Sequence, residues 1–116
     1  MATTDFGNII ANDLEQFSMF AGSETTLSYD VYDTDDLLVD ITSATCTSLI
    51  IKYGDPTNLL LTLTGSLSGS SAFIATLEST DTEDFSGVYQ HQPKIVDHLG
   101  NTHIAGQGKF VVFPSP

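Results

Sequence analysis

The fold is decided by residues 81–114, DTEDFSGVYQHQPKIVDHLGNTHIAGQGKFVVFP. Strand-forming residues flank a turn at Asp97–Asn101: Val88, Tyr89, Ile95 and Val96 before it, and Thr102, His103, Ile104 and Phe110–Phe113 after it. A tight hairpin turn demands positive φ, and Gly100 and Asn101 are the residue types that tolerate it best. Pro114 then ends the second strand, because proline cannot donate a hydrogen bond to a strand ladder. The stretch therefore predicts two strands joined by a tight turn.

The chain from Phe17 onward shows a two-residue alternation of apolar and polar side chains. The segments with this pattern are Phe17–Ala21, Leu27–Val31, Cys46–Tyr53, Leu59–Thr64 and Ala72–Leu77, and Leu37–Ile41 is interpreted as a short edge element. Because Leu59–Thr64 is so rich in leucine, we expect that strand to be central in its sheet. With the hairpin, this makes about seven short strands separated by turn residues and no convincing helix. The sequence predicts an all-β fold, an immunoglobulin-like antiparallel β-sandwich, over residues 15–116.

Residues 1–14 precede this pattern and are interpreted as an N-terminal arm. Their apolar residues have helical spacing, but Gly7, Asn8 and Asn12 are poor helix formers, so we expect no stable free helix. Such an arm either lies along its own domain or docks on a neighbouring molecule. The candidate partner-binding residues are Phe6, Ile9, Ile10 and Leu14.

The chain is strongly acidic, with 15 Asp and Glu against three Lys and no Arg, which gives a net charge of −12. Nucleic acid and anionic membrane surfaces are excluded as partners, because both are bound by clustered cations. The lysines, Lys52, Lys94 and Lys109, all follow residue 51, whereas nine of the acidic residues lie within residues 1–40. If the fold preserves this polarity, one end of the domain is strongly negative and favours a basic partner surface. The alternative is a solvated acidic face that keeps the protein soluble.

The single cysteine, Cys46, excludes an intrachain disulfide, and its apolar strand pattern predicts a buried thiol. The N-terminal residues lack the positive region of a signal peptide, and no apolar run approaches the length of a transmembrane helix. We therefore expect synthesis in the cytoplasm.

Three histidines raise the question of a metal site. If the hairpin pairs as predicted, His91 lies opposite about Gly108 and His103 opposite about Val96. His98 then lies at the tip of the turn, away from both. We expect no site that joins the three side chains.

No other pattern indicates chemistry. The acidic runs at Asp33–Asp36 and Asp81–Asp84 lack the glycine and glutamate positions of a calcium-binding EF-hand loop and are interpreted as solvated turns. The sequence contains neither a nucleophile elbow nor a phosphate-binding loop that opens a helix. We expect a protein that is not an enzyme and holds no metal or cofactor.

Residues 25–116 resemble small immunoglobulin-like domains of the virion proteins of tailed bacteriophages. The resemblance is carried by residues 81–92, DTEDFSGVYQHQ, by residues 96–101, VDHLGN, and by residues 108–112, GKFVV. In that family a D-T-x-x-x-x-G-x-Y-x-H element precedes a D-x-x-G-N/R turn, and the chain closes with G-x-F-x-V before a proline.

The resemblance implies a virion structural protein, in first place a capsid decoration or cement protein that binds and stabilises the assembled head. The alternatives are a neck, tail, baseplate or fibre adaptor of the virion, and a carbohydrate-binding or adhesive module. The implied partner is the major capsid protein or another virion structural protein, with homo-oligomers as a further option, and the implied location is the virion.

The family motif also has a structural interpretation. Gly87 permits a backbone corner, and Tyr89 packs against that corner and caps it in the manner of a tyrosine corner. Asp97 and Gly100 form the turn, and Phe110 fills the core. These roles require no ligand.

Overall fold

A computed structural model of the chain describes residues 9–11 and 16–114, without the side chains of residues 9–11 and Pro56. The strands are β1 (Ile9–Ala11), β2 (Phe17–Phe20), β3 (Thr25–Asp33), β4 (Thr45–Lys52), β5 (Asp55–Thr64), β6 (Ser66–Leu67), β7 (Ala72–Leu77), β8 (Gly87–Val96), β9 (Thr102–Ile104) and β10 (Gly108–Phe113). A single helical turn, α1 (Ser79–Thr82), precedes β8. Within the described ranges, no helix has the length and apolar character needed to cross a membrane.

The strands form two sheets, and the prediction of an all-β sandwich is confirmed. One sheet has four strands in the order β1-β3-β7-β6; the other has the order β2-β10-β8-β4-β5, with β9 also paired to β8. The core holds side chains from both sheets, including the fully buried Tyr29 and Phe73 from the first and Ile50, Ile95 and Phe110 from the second. This burial of apolar surface is the main stabilising term for such a fold.

The predicted hairpin is confirmed, because β8 pairs antiparallel with β9 across residues 97–101. After residues 105–107 the chain continues in β10, which pairs with the first half of β8 and places Gly108 opposite His91. His103 lies opposite Ile95, one residue from the predicted position.

Two features differ from the predicted sandwich. The described residues contain ten strands, because the short β1, β6 and β9 have too few residues for a visible alternation. β2 pairs with β10 in parallel, with Phe17 beside Phe110, so the sheet is mixed and not purely antiparallel. A parallel pair has no hairpin turn between its strands and therefore leaves no local signal in the sequence.

The prediction that the leucine-rich strand is central is wrong. β5 lies at the edge of the six-stranded sheet, with Leu59 52% and Leu60 38% exposed. A bulge at Leu60 breaks the register with β4, since Ile50 pairs with Leu61 while Ile51 pairs with Leu59. Bulges of this kind are a common way to protect a sheet edge from pairing with another chain.

Part of the predicted arm lies along its own domain. The backbone of β1 pairs antiparallel with β3, with Ile9 opposite Asp33 and Ile10 opposite Tyr32. The other two candidate partner-binding residues, Phe6 and Leu14, lie outside the described residues, as does the predicted boundary between residues 14 and 15.

Candidate functional site: the outer face of the six-stranded sheet

The first motif predicted from the sequence forms the corner that leads into β8. Gly87 has φ 111°, in the region that favours glycine. The hydroxyl of Tyr89 accepts a hydrogen bond from the Ser86 amide at 2.9 Å and donates one to the Ser86 carbonyl at 3.0 Å. The ring of Phe85 stacks on Tyr89 with 4.5 Å between centroids. These contacts hold the corner.

The second motif is the hairpin turn, which Asp97 holds from inside. Its Oδ1 atom accepts hydrogen bonds from the amides of Leu99 at 3.0 Å and Asn101 at 2.8 Å. Its Oδ2 atom accepts one from Nε2 of His103 at 3.1 Å. Gly100 has φ 87°, as such a turn requires. The hydrogen bond from His103, with smaller contributions from the two amides, lowers the pKa of Asp97 below its usual value, although partial burial opposes this shift.

This carboxylate makes the stability of the fold sensitive to acid. Because the pKa of Asp97 is lower in the folded than in the unfolded chain, its contribution is complete above the unfolded value of about 4 and is lost as pH falls through the folded value. We expect thermal melts of Asp97→Asn to show a lower Tm than wild type at pH 7 and a smaller further loss below about pH 4. Asp84→Asn, an exposed acid outside the turn, is the control. An Asp97→Asn variant that melts with wild type at neutral pH would contradict this role.

A buried polar cluster in the core superficially resembles a catalytic arrangement. The hydroxyl of Tyr29 lies 2.7 Å from Oγ of Ser48 and 2.8 Å from Nδ1 of His91. All three residues are 3% exposed or less, so no substrate reaches them. Burial raises the pKa of Tyr29, which keeps the phenol neutral. The cluster therefore satisfies polar groups inside the core and joins the two sheets.

Tyr29→Phe should destabilise the fold by about 1–3 kcal/mol, because Ser48 and His91 lose a buried hydrogen-bond partner while the ring volume is kept. Urea titration would give the change in free energy of unfolding. Tyr53→Phe, which removes the same atom from a side chain that is 49% exposed, is the matched control. Equal stability of the two variants would contradict a structural role for the buried cluster.

Two further candidates for chemistry are the thiol of Cys46 and a metal site. Cys46 is buried, as predicted, and burial raises its pKa to about 11, which leaves the thiol protonated at neutral pH. Within residues 16–114, no three His, Cys, Asp or Glu side chains are placed to hold a metal ion.

A groove of about 390 Å³ lies where β5 meets the edge of the other sheet. Threonine and serine hydroxyls line it, with Glu78 and Asp81 at one end. Both carboxylates are used in the capping box of α1, where Asp81 accepts a hydrogen bond from the Glu78 amide at 2.9 Å. Both carboxylates are thus occupied by hydrogen bonds to backbone amides of the chain itself.

The outer face of the six-stranded sheet is different, because it combines apolar side chains with cations. Side chains alternate along a strand, so the buried Tyr89, His91 and Ile95 place Gln90 and Lys94 on the outside of β8. Lys109 lies opposite Gln90 and is also on the outside. We call this surface the lysine face and define it by Phe20, Tyr53, Leu59, Lys94, Ile104, Lys109 and Phe113.

The apolar members of the lysine face are open to solvent. Phe20 is 55% exposed, Phe113 46% and Leu59 52%. The rings of Phe20 and Phe113 lie 5.7 Å apart on adjacent strands. Neighbouring exposed apolar side chains such as these two rings mark interaction sites in soluble proteins more often than isolated exposed residues do.

The charges of the lysine face are positive only. All three lysines of the chain lie in strands of the six-stranded sheet, whose strands contain a single carboxylate, Asp55, at the start of β5. Lys52 lies at the end of β4, so the cations of the face itself are Lys94 and Lys109. Nζ of Lys109 lies 5.0 Å from the ring centroid of Tyr53. Among the described residues, neither of these two lysines has a carboxylate within 4.0 Å.

Sequence reasoning did not find this face. It placed the lysines in the later part of the chain but could not place Lys94 and Lys109 on one surface, because that depends on the pairing of β10 with β8. One signal in the sequence could have indicated the outer side of β8. The polar residues Gln90, Gln92 and Lys94 recur at every second position, as on the solvent side of a strand.

Comparison with known proteins identifies a fold for this chain but no family. No protein family matches the chain, and no curated protein does. Among 237 solved chains that match is CopC from Methylosinus trichosporium OB3b, with a TM-score of 0.51 and 14% sequence identity over 94% of this chain and 97% of CopC. At this identity the likeness shows a shared β-sandwich fold.

The predicted virion function is corrected by this result. The whole-fold likeness to CopC leads away from a bacteriophage structural protein, and a virion location has no support among these similarities. The physical reason is that Gly87, Tyr89, Asp97, Gly100 and Phe110 form the corner, the turn and the core. Any β-sandwich with this hairpin needs residues in these structural roles, so their presence does not indicate a particular function.

Proposed function

We propose that this chain is a non-catalytic binding domain that engages a protein partner through the lysine face. The observation that carries the proposal is that Lys94 and Lys109 have no carboxylate within 4.0 Å among the described residues, in a chain with a net charge of −12. Lys109 also lies beside the exposed ring of Tyr53. The face therefore presents both the apolar and the electrostatic part of a binding surface.

The face is better suited to binding than the sheet edges are. β1 has three residues, β2 four and β6 two, and the long edge strand β5 carries a bulge at Leu60. Short or bulged edges resist the addition of a further strand. A partner that packs on the face needs no free strand edge, because side chains make the contacts.

The residues that could support catalysis also favour a binding role. The nucleophiles Ser48 and Cys46 lie inside the sandwich, together with His91. A reaction needs a nucleophile or base that substrate can reach, and these side chains have almost no exposed surface. On the lysine face, in contrast, the amines of Lys94 and Lys109 lie at the surface. Among the described residues, no carboxylate lies within 4.0 Å of either amine to act as a base.

Photocrosslinking tests the proposal in the natural source of the chain. A photoreactive phenylalanine at Val111, which lies between Lys109 and Phe113 on β10 and alternates to the same side of the sheet, should form a specific protein adduct. The same probe at Ser68, in the exposed loop after β6, should not. Lys109→Glu in the Val111 probe chain should abolish the adduct if the cations take part. Equal adducts from both positions, or an adduct that survives Lys109→Glu unchanged, would overturn the proposal.

A further inference from the structure

We propose that the partner of the lysine face is a second copy of this chain, which docks by residues 30–38. This inference rests on the proposed function, because it names the occupant of the same face. The docking segment runs from the outside of β3 into the following turn. We call it the acidic ridge and define it by Asp30, Asp35, Asp36, Leu37 and Leu38.

The acidic ridge has the chemistry that the lysine face lacks. Tyr29 and Val31 are buried, so Asp30 between them points out of the four-stranded sheet. Leu37 is 63% and Leu38 60% exposed, directly after the carboxylates of the turn. The ridge thus places anions beside exposed apolar side chains, as the lysine face places Lys109 beside the exposed ring of Tyr53. Charge complementarity of this kind fixes the partner and the orientation of a contact.

The ridge is fixed in shape before any partner binds. Oδ1 of Asp33 accepts hydrogen bonds from the amides of Asp35 at 2.8 Å and Leu37 at 3.0 Å. The Asp33 amide donates to the Leu37 carbonyl at 2.9 Å, and Leu38 forms a bridge with Tyr32 of β3. Because the turn is already ordered, docking would lose little conformational entropy there.

The acidic ridge of one molecule cannot contact the lysine face of the same molecule. The ridge follows β3 in the four-stranded sheet, whereas the face is the outside of the six-stranded sheet. The contact is therefore between molecules and joins two different surfaces. Such heterologous contacts leave one free ridge and one free face at the ends of every assembly, so they build open chains unless the rotation closes a ring.

Overall charge makes the lysine face the most favourable place for a second copy to approach. Each copy carries a net charge of −12, so approach through most other surfaces brings carboxylates together. At the lysine face the incoming carboxylates of the ridge meet Lys94 and Lys109 instead. These cations lie roughly 13 Å apart along the sheet, from the four-residue offset between Lys94 and Gln90, the partner of Lys109.

Sedimentation velocity of the full chain from micromolar to millimolar concentration tests the proposal. Wild type should form species that grow with concentration. Lys109→Glu and Asp35→Lys should each remain monomeric. Both should stay folded, because Asp35 is exposed and Lys109 is half-buried with its Nζ over the exposed ring of Tyr53, and a thermal melt checks this. Glu24→Lys, the same charge change at an exposed site off the ridge, should associate at least as well as wild type.

The decisive sample is an equimolar mixture of the two variants. Lys109→Glu keeps an intact ridge and Asp35→Lys keeps an intact face, so the mixture should form one-to-one dimers and nothing larger. A wild type that stays monomeric at every concentration would overturn the proposal, as would an Asp35→Lys variant that associates like wild type. If self-association fails while the Val111 probe still captures another protein in a Lys109-dependent way, the proposed function stands and this inference falls. If the probe also gives no adduct, both fall.

Discussion

Phe110→Ala is expected to destabilise the fold by about 3–5 kcal/mol, close to the limit that a domain of this size tolerates. Phe110 is fully buried in β10. Its ring stacks on Phe17 of β2 at 4.9 Å and on Tyr89 of β8 at 5.6 Å. The substitution would leave a cavity at the point where three strands of the six-stranded sheet meet, so the loss exceeds the transfer free energy of the ring alone.

Phe113→Ala is the matched control, three residues later in the same strand. Its ring is 46% exposed and lies on the lysine face, so we expect a loss of about 1 kcal/mol or less. Guanidinium titration of both variants would measure the two free energies of unfolding. A Phe110→Ala variant no less stable than Phe113→Ala would show that β10 does not pack as described.

Gly108→Ala is expected to destabilise the fold by about 1–3 kcal/mol despite the addition of a single methyl group. A Cβ atom at residue 108 would overlap the imidazole of His91, which lies opposite it across β8 and β10. The ring cannot move aside freely, because its Nδ1 atom is 2.8 Å from the buried hydroxyl of Tyr29. The strain would therefore spread into the polar cluster that joins the two sheets.

A double-mutant cycle would identify the cause of that loss. In a His91→Ala background the space beside residue 108 is open, so Gly108→Ala should cost much less than in wild type. The measurement is the free energy of unfolding of the four proteins in the cycle. A cost of Gly108→Ala that is the same in both backgrounds would place its origin in the backbone and contradict the overlap with His91.

The sequence predicted best where a local rule fixes the structure. The turn at residues 97–101 needed a carboxylate that holds amides and a glycine with positive φ, and Asp97 and Gly100 supply them. Alternation located β2, β3, β4 and β7, strand-forming residues before the turn located β8, and the apolar setting of Cys46 predicted its burial. Each of these signals spans a few residues and does not depend on which strands become neighbours.

The sequence failed where the answer depends on strand order. The leucines of β5 looked like a central strand, but a run of apolar residues does not reveal which side of a sheet is open or where a bulge turns the chain. Nor did the sequence show why residue 65 is glycine. There the chain crosses between sheets, and a Cβ would lie 2.6 Å from Phe73 and 2.7 Å from the Cys46 carbonyl.

The candidate site also depends on strand order and could not be predicted from the sequence. Lys94 and Lys109 are 15 positions apart, and the exposed Phe20 comes from the opposite end of the chain. The order β2-β10-β8 places them on one surface. The motif that suggested a virion function consists of residues that are close together in the sequence. The residues of the lysine face are far apart in the sequence and become neighbours only in the folded sheet.

The most direct test of that surface is amine labelling of the native assembly, read by mass spectrometry. The chain has three lysines, and two of them, Lys94 and Lys109, are on the lysine face, while the exposed Lys52 lies at the end of β4 and serves as an internal reference. Brief acetylation of the purified monomer and of the chain in its natural complexes should give strong protection of Lys94 and Lys109 in the complex. Lys52 should react at an unchanged rate. Equal labelling of all three lysines in both samples would contradict binding through this face.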